Sequence, residues 1–490
     1  MQNSSHQLIL LTAIYLVWLL AVLLFFGYTP TNDGVGYIEL AQQCLTEHQP
    51  YPTVTIFTQE PFIWNIGIIN LTELVIWLTG SIMPLLVLLC VMKAATALFL
   101  SLTAERLFST PVAIVALVLF IIYPNNWGQS TMVSSEIPST CLSMIAVYLV
   151  AKGYRANKTY GAYGANKANK ANGANEAYGA NRANGANRAN GANRANGANG
   201  ANRAYGTLFF AGLLLALANW FRPTATIFLL CIILFLIVFK RKKSIRPIAE
   251  FLTGYVIFIA VVGTSTYCRT GRFLYQARSY WFSMVDECYD EATVAPHWGQ
   301  PIWPEGTPRY IANRTDMDCF DYEQIWKERS ISYLKDHKLA YLKKLPGRFY
   351  YMYQNDYDNM SAFLSEKSRP ENNFITIPFR HLTNEAPSLS MAQWMSLMCM
   401  LCYVAVLLMA ILGTIVMLRH HRWQPLFLPL SIVVLGTLML IFLMHGETRF
   451  KDPLMPSLFM LAATCTTGRM RFGRMRYAPT CLPINSERHE

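Results

Sequence analysis

Residues 8 to 26 read LILLTAIYLVWLLAVLLFF, nineteen residues in which Thr12 is the only polar side chain that is not aromatic. A helix of about 20 apolar residues crosses the ~30 Å hydrocarbon core of a bilayer. The stretch is too long for the apolar part of a signal peptide, and it has neither a Lys or Arg before it nor an Ala-x-Ala cleavage site after it. We therefore expect a membrane span that remains as an anchor.

The composition of the whole chain agrees with this expectation. Of its 490 residues, 53% are hydrophobic and 14% are charged, whereas soluble domains carry roughly 25% charged residues. Segment 61–79 is ambiguous because Asn65, Asn70, Thr72 and Glu73 interrupt it, and we favour an interfacial or partly re-entrant position over a crossing. We predict an all-α polytopic membrane protein with about 10–11 transmembrane helices. The predicted spans are 8–27, 82–103, 111–123, 131–151, 207–221, 224–239, 248–267, 395–418, 426–444 and 454–467.

The formal net charge of +12 is unevenly distributed. From Cys268 to Ala392 there are 15 Lys and Arg against 16 Asp and Glu, which leaves 26 against 13 in the rest of the chain. The excess lies in short clusters beside apolar segments, which is typical of cytoplasmic loops. A surface for nucleic acid is therefore the weaker interpretation. The basic clusters are Lys240, Arg241, Lys242, Lys243 and Arg246; Arg419 and Arg422; and Arg469, Arg471, Arg474 and Arg476.

With segment 61–79 in the interface, this pattern places both termini in the cytoplasm; if the segment crosses the membrane, the part of the chain after residue 151 changes sides relative to the N-terminus. The pattern also divides the chain into regions. From Arg155 to Gly206 the sequence repeats Ala-Asn-Gly, Ala-Asn-Arg and Ala-Asn-Lys, which offers too little apolar surface to fold, so we expect a disordered loop. The predicted regions are an N-terminal membrane part at 1–151 with a first outer loop at 28–60, a cytoplasmic loop at 152–206, central transmembrane helices at 207–267, an extracytoplasmic region at 268–392, C-terminal transmembrane helices at 393–467 and a basic cytoplasmic tail at 468–490.

The extracytoplasmic region contains an apolar stripe at helical spacing. Tyr322, Trp326 and Tyr333 belong to it, and it continues to Tyr353 after a break near His337. Basic residues beside the stripe predict helices that lie on the outer leaflet. A small soluble subdomain that packs on itself is the alternative.

Eleven cysteines do not form the pattern of a disulfide scaffold or a zinc site. The CxxC pair, Cys399 and Cys402, falls in a predicted span and is interpreted as packing. Four cysteines fall in predicted outer segments and could pair in an oxidising compartment, which the sequence leaves open. They are Cys44, Cys268, Cys288 and Cys319.

Charged residues at the ends of apolar segments are the informative ones, because a charge near hydrocarbon is costly without a partner or a function. The first group is TNDGVGYIELA at residues 31 to 41, which predicts a turn at 32–36 followed by an amphipathic helix. Asp33 in this turn is a candidate general base. It could equally be a cap of the following helix.

Three further groups fall at predicted outer turns. Glu136 follows Ser134 and Ser135, Arg222 precedes Pro223, and residues 445 to 453 read HGETRFKDP with Glu447, Arg449 and Lys451. Taken singly, each is more often an interfacial residue than a ligand. Their convergence with Asp33 on one membrane face raises the probability of a functional site.

At these residues the sequence resembles the GT-C membrane glycosyltransferases, and within them the protein O-mannosyltransferases and lipid A aminoarabinose transferase. The shared features are the acidic turn of Asp33 with a tyrosine and an alanine after it, Ser-Glu after a proline-bearing turn, Arg-Pro at a helix junction, and Glu-Thr-Arg-Phe with prolines. The resemblance runs over nearly all of the hydrophobic chain and excludes 155–206. The family's common Asp-Glu is here Asp33-Gly34, which puts the role of a second adjacent carboxylate in doubt.

The resemblance implies a helical enzyme that transfers a sugar from a polyprenyl phosphate donor to an acceptor outside the cytoplasm, where the acceptor is a protein, a lipid or a glycan. It implies that Asp33 is the base, and that an arginine or lysine stabilises the departing phosphate. A single displacement inverts the anomeric centre. The residues expected to bind the donor are Tyr37, Glu136, Arg222, Glu447, Arg449 and Lys451.

No cofactor is expected to be required, although a divalent cation is compatible with the chemistry. The sequence has no P-loop, HExxH or GxGxxG motif. We expect a multi-pass protein of a bacterial inner membrane with its site on the extracytoplasmic face. The rivals are a transporter or lipid flippase, for which we see neither an inverted repeat nor a charged residue deep in paired spans, and a non-catalytic scaffold.

Overall fold

The structure is a computed structural model that describes residues 2–49, 62–153, 206–240, 244–288, 304–312, 316–364, 391–444 and 446–468. In these ranges the chain forms helices and no β-strand; Ile63 and Arg278 make an isolated antiparallel bridge. The longer helices are Gln2–Phe26, Asn32–Thr46, Ile66–Thr79, Met83–Leu107, Thr110–Ile122, 136–153, Gly206–Phe221, Thr226–Lys240, Ile245–Thr270, Tyr280–Glu287, Cys319–Asp336, Lys338–Tyr353, Met391–Arg419, Trp423–Leu443 and Met455–Ala463.

Five described helices are long and apolar enough to cross a membrane on their own, which makes the chain a multi-pass membrane protein. A sixth candidate is a pair of helices bent by 65° between Ile122 and Asn125. Ten or eleven spans are predicted from the sequence, but several of those segments form shorter helices. At ~1.5 Å per residue, the 13 residues of Thr110–Ile122 do not cross a bilayer unaided. The five are His6–Phe26, Met83–Leu107, Ile245–Thr270, Met391–Arg419 and Trp423–Leu443.

The ambiguous segment 61–79 contains the helix Ile66–Thr79, which ends at Gly80 in the left-handed conformation (φ 68°). The polar residues that made it ambiguous are explained by packing, because Asn70, Thr72 and Glu73 are buried against protein. Thr72 also donates to the carbonyl of Ile68 at 2.7 Å. Whether this helix crosses the membrane stays a prediction.

The bundle is packed closely around its last helix. All nine residues of Met455–Ala463 are buried, so this part of predicted span 454–467 is enclosed by protein rather than lipid. Gly413 makes the contact with Met391–Arg419 close, since a Cβ added there would lie 2.4 Å from the carbonyl oxygen of Leu461. Small residues at such crossings are typical of membrane helices.

The helices predicted around 322–353 are present, with the break at His337 as expected. The first, Cys319–Asp336, buries Tyr322 and Trp326 in a small hydrophobic cluster with Ile63 and Val285. It therefore packs on residues from other parts of the chain, and whether this region forms a subdomain that packs on itself stays a prediction.

The second helix, Lys338–Tyr353, leaves several apolar side chains exposed, among them Leu339 and Tyr350. Contact of this helix with the outer leaflet stays a prediction.

Other predictions concern parts of the chain at or beyond the limits of the described residues. The Ala-Asn repeat lies outside them from residue 154 to 205, as does the basic tail from residue 469 onward. All four cysteines of the predicted outer segments are described, and each is free; Cys44, Cys288 and Cys319 are buried, whereas Cys268 is exposed.

Candidate active site

A cavity of about 1260 Å³ brings together side chains from widely separated parts of the chain. It is lined on one side by the first turn of helix Asn32–Thr46 and by residues 62–65, and on another by residues 446–450. Five of the seven predicted site residues line it, whereas Glu136 and Lys451 do not. The five are Asp33, Tyr37, Arg222, Glu447 and Arg449.

Asp33 lies in the first turn of helix Asn32–Thr46, so the predicted turn at 32–36 is already helical. The cap of this helix is Thr31, whose Oγ1 accepts a hydrogen bond from the Gly34 amide at 3.1 Å. Asp33 is thereby free of the capping role that was its alternative. Its side chain lies near the positive end of the helix dipole and is 32% exposed.

Arg449 holds two carboxylates at the cavity wall. Its Nη1 donates to Asp33 Oδ2 at 2.6 Å, and its Nε lies 3.0 Å from Glu447 Oε2. Burial acts to lower the pKa of Arg449, but the carboxylates of Glu447 and Asp33 outweigh it and raise that pKa. The guanidinium is therefore a permanent positive charge beside the candidate base.

Arg222 and Glu136 form a second, buried ion pair. Arg222 is in an extended conformation (φ −158°) at the break before Pro223, where a helix cannot continue because Pro restricts the residue before it. Its Nη1 contacts Glu136 Oε1 and donates to Ser135 Oγ at 3.1 Å. Ser134 Oγ donates to the other carboxylate oxygen of Glu136 at 2.8 Å. Glu136 is thus placed behind Arg222, outside the cavity lining, and neutralises it.

Phe450 connects the two arginines. Its ring centroid lies 5.8 Å from the guanidinium carbon of Arg222 and 5.9 Å from that of Arg449, within the range of a cation–π contact. Phe450 itself is buried. The sequence gives this residue no role, although it follows Arg449 directly; in the structure it contacts two cations that line one cavity.

Tyr37 ties three elements together at the cavity wall. Its hydroxyl accepts a hydrogen bond from Asn65 Nδ2 at 2.8 Å and lies 3.3 Å from Ser135 Oγ. Burial raises the pKa of Tyr37 above its ordinary value, so the phenol stays neutral. It fixes the helix of Asp33 against the segment that carries Glu136.

Lys451 is fully buried, in contrast to its predicted place at the donor phosphate. Its ammonium lies 3.1 Å from Asp356 Oδ1 and donates to the carbonyls of Asn355 at 2.6 Å and Thr448 at 3.0 Å. These contacts satisfy the three donors of the ammonium. Lys451 therefore supports the segment that carries Arg449.

Sequence reasoning missed Lys93. This residue lies in the middle of helix Met83–Leu107 and is buried, which corrects the view that no charged residue lies deep in a span. Its ammonium donates to Gln129 Oε1, and Gln129 Nε2 donates to Asp452 Oδ2 at 3.2 Å. Lys93 is the one charged residue between Met83 and Ala104, and this is the signal that could have identified it.

Among the residues that the structure describes, no group of three or more His, Cys, Asp or Glu side chains is arranged to hold a metal ion. The two carboxylates beside Arg449 are both engaged by its guanidinium. Beside Asp33 the site presents two arginines, one half-exposed and one buried, with their counter-charges; Arg309, Lys344 and Arg348 line the same cavity.

No protein family profile and no curated protein sequence matches the chain. A crystal structure of the oligosaccharyltransferase of Archaeoglobus fulgidus in the apo form is similar in three dimensions, with a TM-score of 0.46 and 9% sequence identity. The match covers 93% of this chain and 50% of that protein, so the chain spans about half the length of the structure it matches.

Proposed function

We propose that the protein is a membrane glycosyltransferase that moves a sugar from a polyprenyl phosphate donor to an acceptor outside the cytoplasm. The observation that carries the proposal is the contact of Asp33 with Arg449 in a cavity that Arg222 also lines. A carboxylate and two guanidinium groups are what such a transfer needs at the reacting atoms. The site requires no cofactor for this chemistry.

The reaction divides between the two sides of the site. The acceptor hydroxyl oxygen attacks the anomeric carbon and its proton passes to a carboxylate oxygen of Asp33. The bond from the anomeric carbon to the phosphate oxygen breaks, and the electron pair leaves with the polyprenyl phosphate. One displacement of this kind inverts the anomeric centre.

Arg449 is suited to the leaving phosphate. Nη1 and Nε contact Asp33 and Glu447, and the planar guanidinium can bind phosphate oxygens through its remaining N–H groups. Arg222 adds a second guanidinium, whose charge is balanced by Glu136 and whose position is fixed by Glu136 and Ser135.

The basic clusters of the sequence support the proposal that this cavity lies on the extracytoplasmic side of a cell membrane, and specifically of a bacterial inner membrane. The partners are then a lipid-linked sugar, the bilayer, and a protein, lipid or glycan acceptor; nucleic acid is not among them.

The first prediction is that Asp33→Asn lowers sugar transfer by about 10²- to 10⁴-fold, because the variant cannot accept the acceptor proton. The assay uses purified protein with polyprenyl phosphates that carry glucose, mannose, galactose or aminoarabinose, and it measures free polyprenyl phosphate. The matched control is Glu39→Gln, which removes an exposed carboxylate from the same helix and should keep wild-type activity. Full activity of a correctly inserted Asp33→Asn protein contradicts the role of Asp33.

A second candidate function, a lipid flippase or transporter, gains from Lys93, because charged residues inside spans also mark permeation paths. The same assay separates the two. A flippase moves the intact lipid and breaks no bond, so free polyprenyl phosphate in the wild-type reaction excludes it as the whole activity.

A further inference from the structure

One wall of the cavity is aromatic and lies beside Asp33. Phe62 and Trp64 stack with their ring centroids 5.4 Å apart and their planes 24° apart. Tyr37 meets Trp64 edge-on at 5.5 Å. All three side chains line the cavity, and Trp64 is neither fully buried nor fully exposed.

The position of Trp64 depends on a glycine. A Cβ added at Gly36 would lie 3.2 Å from Trp64 Cη2 and 3.5 Å from Cζ3, so the indole ring rests directly on the backbone of the helix that carries Asp33. Positions three and four residues apart share one helix face. Gly36 and Tyr37 are therefore on the face of Asp33, and Trp64 lies about one turn, ~5.4 Å, along the helix from the base.

Amide side chains accompany the aromatic wall. Asn32, Asn65 and Gln276 line the same cavity. Asn65 donates to Tyr37, and Gln276 Oε1 accepts from Asn219 Nδ2 at 2.6 Å. A primary amide has two donors and an acceptor with two lone pairs, so each retains hydrogen-bonding capacity beyond these fixed contacts.

An aromatic face with amides around it matches the surface of a pyranose. Such a ring has an apolar face of C–H groups, which packs on an aromatic ring, and a rim of hydroxyls, which bind amides. One helical turn is about the width of the ring, so a sugar on Trp64 can present a hydroxyl to Asp33.

We infer that the acceptor is a carbohydrate, with its pyranose ring stacked on Trp64 and one hydroxyl at Asp33. This inference rests on the proposed function and names its acceptor. The hydroxyl oxygen bonds to the anomeric carbon of the donor, its proton goes to Asp33, and polyprenyl phosphate leaves with the electron pair. The acceptor is assigned to this wall because Trp64 rests on the helix of the base, whereas the donor phosphate is assigned to the arginines on Phe450.

The geometry favours a glycan over a peptide. The described residues at the cavity form no β-strand, and the isolated antiparallel bridge between Ile63 and Arg278 already joins the two lining segments to each other rather than to a peptide. The arrangement of ring, amides and base within about one helical turn fits a single sugar unit.

The test compares acceptors with the wild-type protein first. Donors are the four polyprenyl phosphate sugars named above, and the probes are fluorescent di- and trisaccharides of glucose, galactose, mannose and N-acetylglucosamine and, separately, Ser/Thr-containing peptides. We expect a saccharide, and no peptide, to increase the release of polyprenyl phosphate and to become elongated.

Variants then test the position of the ring. Trp64→Ala should raise the KM for the saccharide by about tenfold, with a smaller change in the KM for the donor. Trp64→Phe keeps an aromatic face and the packing with Phe62, so it should retain more of the acceptor affinity; it also serves if Trp64→Ala does not fold. Gly36→Ala should raise the acceptor KM in the same direction by displacing the indole. Trp77→Ala, which removes a 70% exposed tryptophan from helix Ile66–Thr79, is the matched control.

The results separate failure of the acceptor inference from failure of the proposed function. Elongation of a peptide in place of a saccharide overturns the inference and leaves the proposed function intact. A change in donor KM alone on Trp64→Ala also overturns it, because the ring then holds the sugar of the donor. If the wild-type protein releases no polyprenyl phosphate under any condition, the proposed function fails, and the acceptor site fails with it.

Discussion

Arg449 and Lys451 are two residues apart in one short helix, Thr448–Leu454, yet they lie in opposite environments. The side chain of Arg449 is 40% exposed and faces the cavity, whereas that of Lys451 is 0% exposed and is bound to Asp356. A 3₁₀-helix has about three residues per turn, so positions two apart point to different sides. Two cations of one motif can therefore serve different tasks.

The consequence is a division between a ligand-facing layer and a supporting layer. The ligand-facing layer comprises Asp33, Glu447 and Arg449, whose charges are partly hydrated. Under the proposed function, their ion pairs open when the donor phosphate binds. The supporting layer comprises Lys451, Asp356 and the residues bound to them. Separating Lys451 from Asp356 would leave a buried charge without a partner, which costs several kcal/mol. Thr448 adds to this support through a hydrogen bond from its hydroxyl to Asp358.

The largest effect on stability is expected for Lys451→Met. The variant leaves Asp356 buried without its cation, and we expect a loss of about 3–5 kcal/mol in the free energy of unfolding. It is measured as a fall of the apparent melting temperature in detergent.

The matched variant is Lys451→Met/Asp356→Asn. It removes both charges and keeps the hydrogen bond of Tyr123 to the side chain at position 356, so most of the lost stability should return. A single variant that is as stable as the wild-type protein but inactive would place Lys451 with the ligand after all.

The converse is expected for Arg449→Gln. Its partners are half-exposed, so the free energy of unfolding should change by less than ~1 kcal/mol. Sugar transfer should fall by about 10²- to 10³-fold, because a positive charge at the departing phosphate is lost. Free polyprenyl phosphate and the melting temperature are measured on the same preparation.

The control for Arg449→Gln is Arg419→Gln, at the exposed end of helix Met391–Arg419, which should change neither quantity. A melting temperature as low as that of Lys451→Met would contradict the division into two layers.

Five of the seven predicted residues line one cavity, which agrees with the expectation that charged residues at helix ends meet on one face of the bundle. The same rule was too coarse to predict which way each side chain points. Lys451 binds the carbonyl of a residue 96 positions earlier, and Glu136 pairs with an arginine 86 positions later; neither partner can be read from local sequence. Hydrophobic periodicity likewise predicted the helices around His337, but not that both pack on the molecule, the first through Tyr322 and Trp326 and the second through Tyr341 and Met352.

The fold shows the same limit. Residues 8–26 identify a span by length alone, and helix Gln2–Phe26 contains them. Segment 61–79 could not be assigned from composition, because its polar residues are buried by tertiary contacts. Trp64, at the start of that segment, packs its ring on Gly36, close to Asp33. This is a tertiary contact that the local sequence does not predict.

The smallest effect expected within the supporting layer is a dependence of stability on pH through Asp452. Burial, and after it the nearby carboxylate of Asp356, raises the pKa of Asp452 to about 7, although Lys451 and Lys93 oppose the shift. An unfolded aspartate titrates near ~4, so between pH 4 and 7 the folded protein holds more protons than the unfolded chain. The contribution of Asp452 to stability is therefore complete below pH ~4 and is lost as the pH rises through 7.

Asp452→Asn keeps an acceptor for Gln129 and should flatten the fall in melting temperature between pH 4.5 and 7.5. The control Asp336→Asn, at an exposed helix end, should leave that fall unchanged. Equal slopes for the wild-type and Asp452→Asn proteins would mean that Asp452 is ionised throughout this range, held as an anion by Lys93 and Lys451, and would make it a full member of the buried ion-pair network.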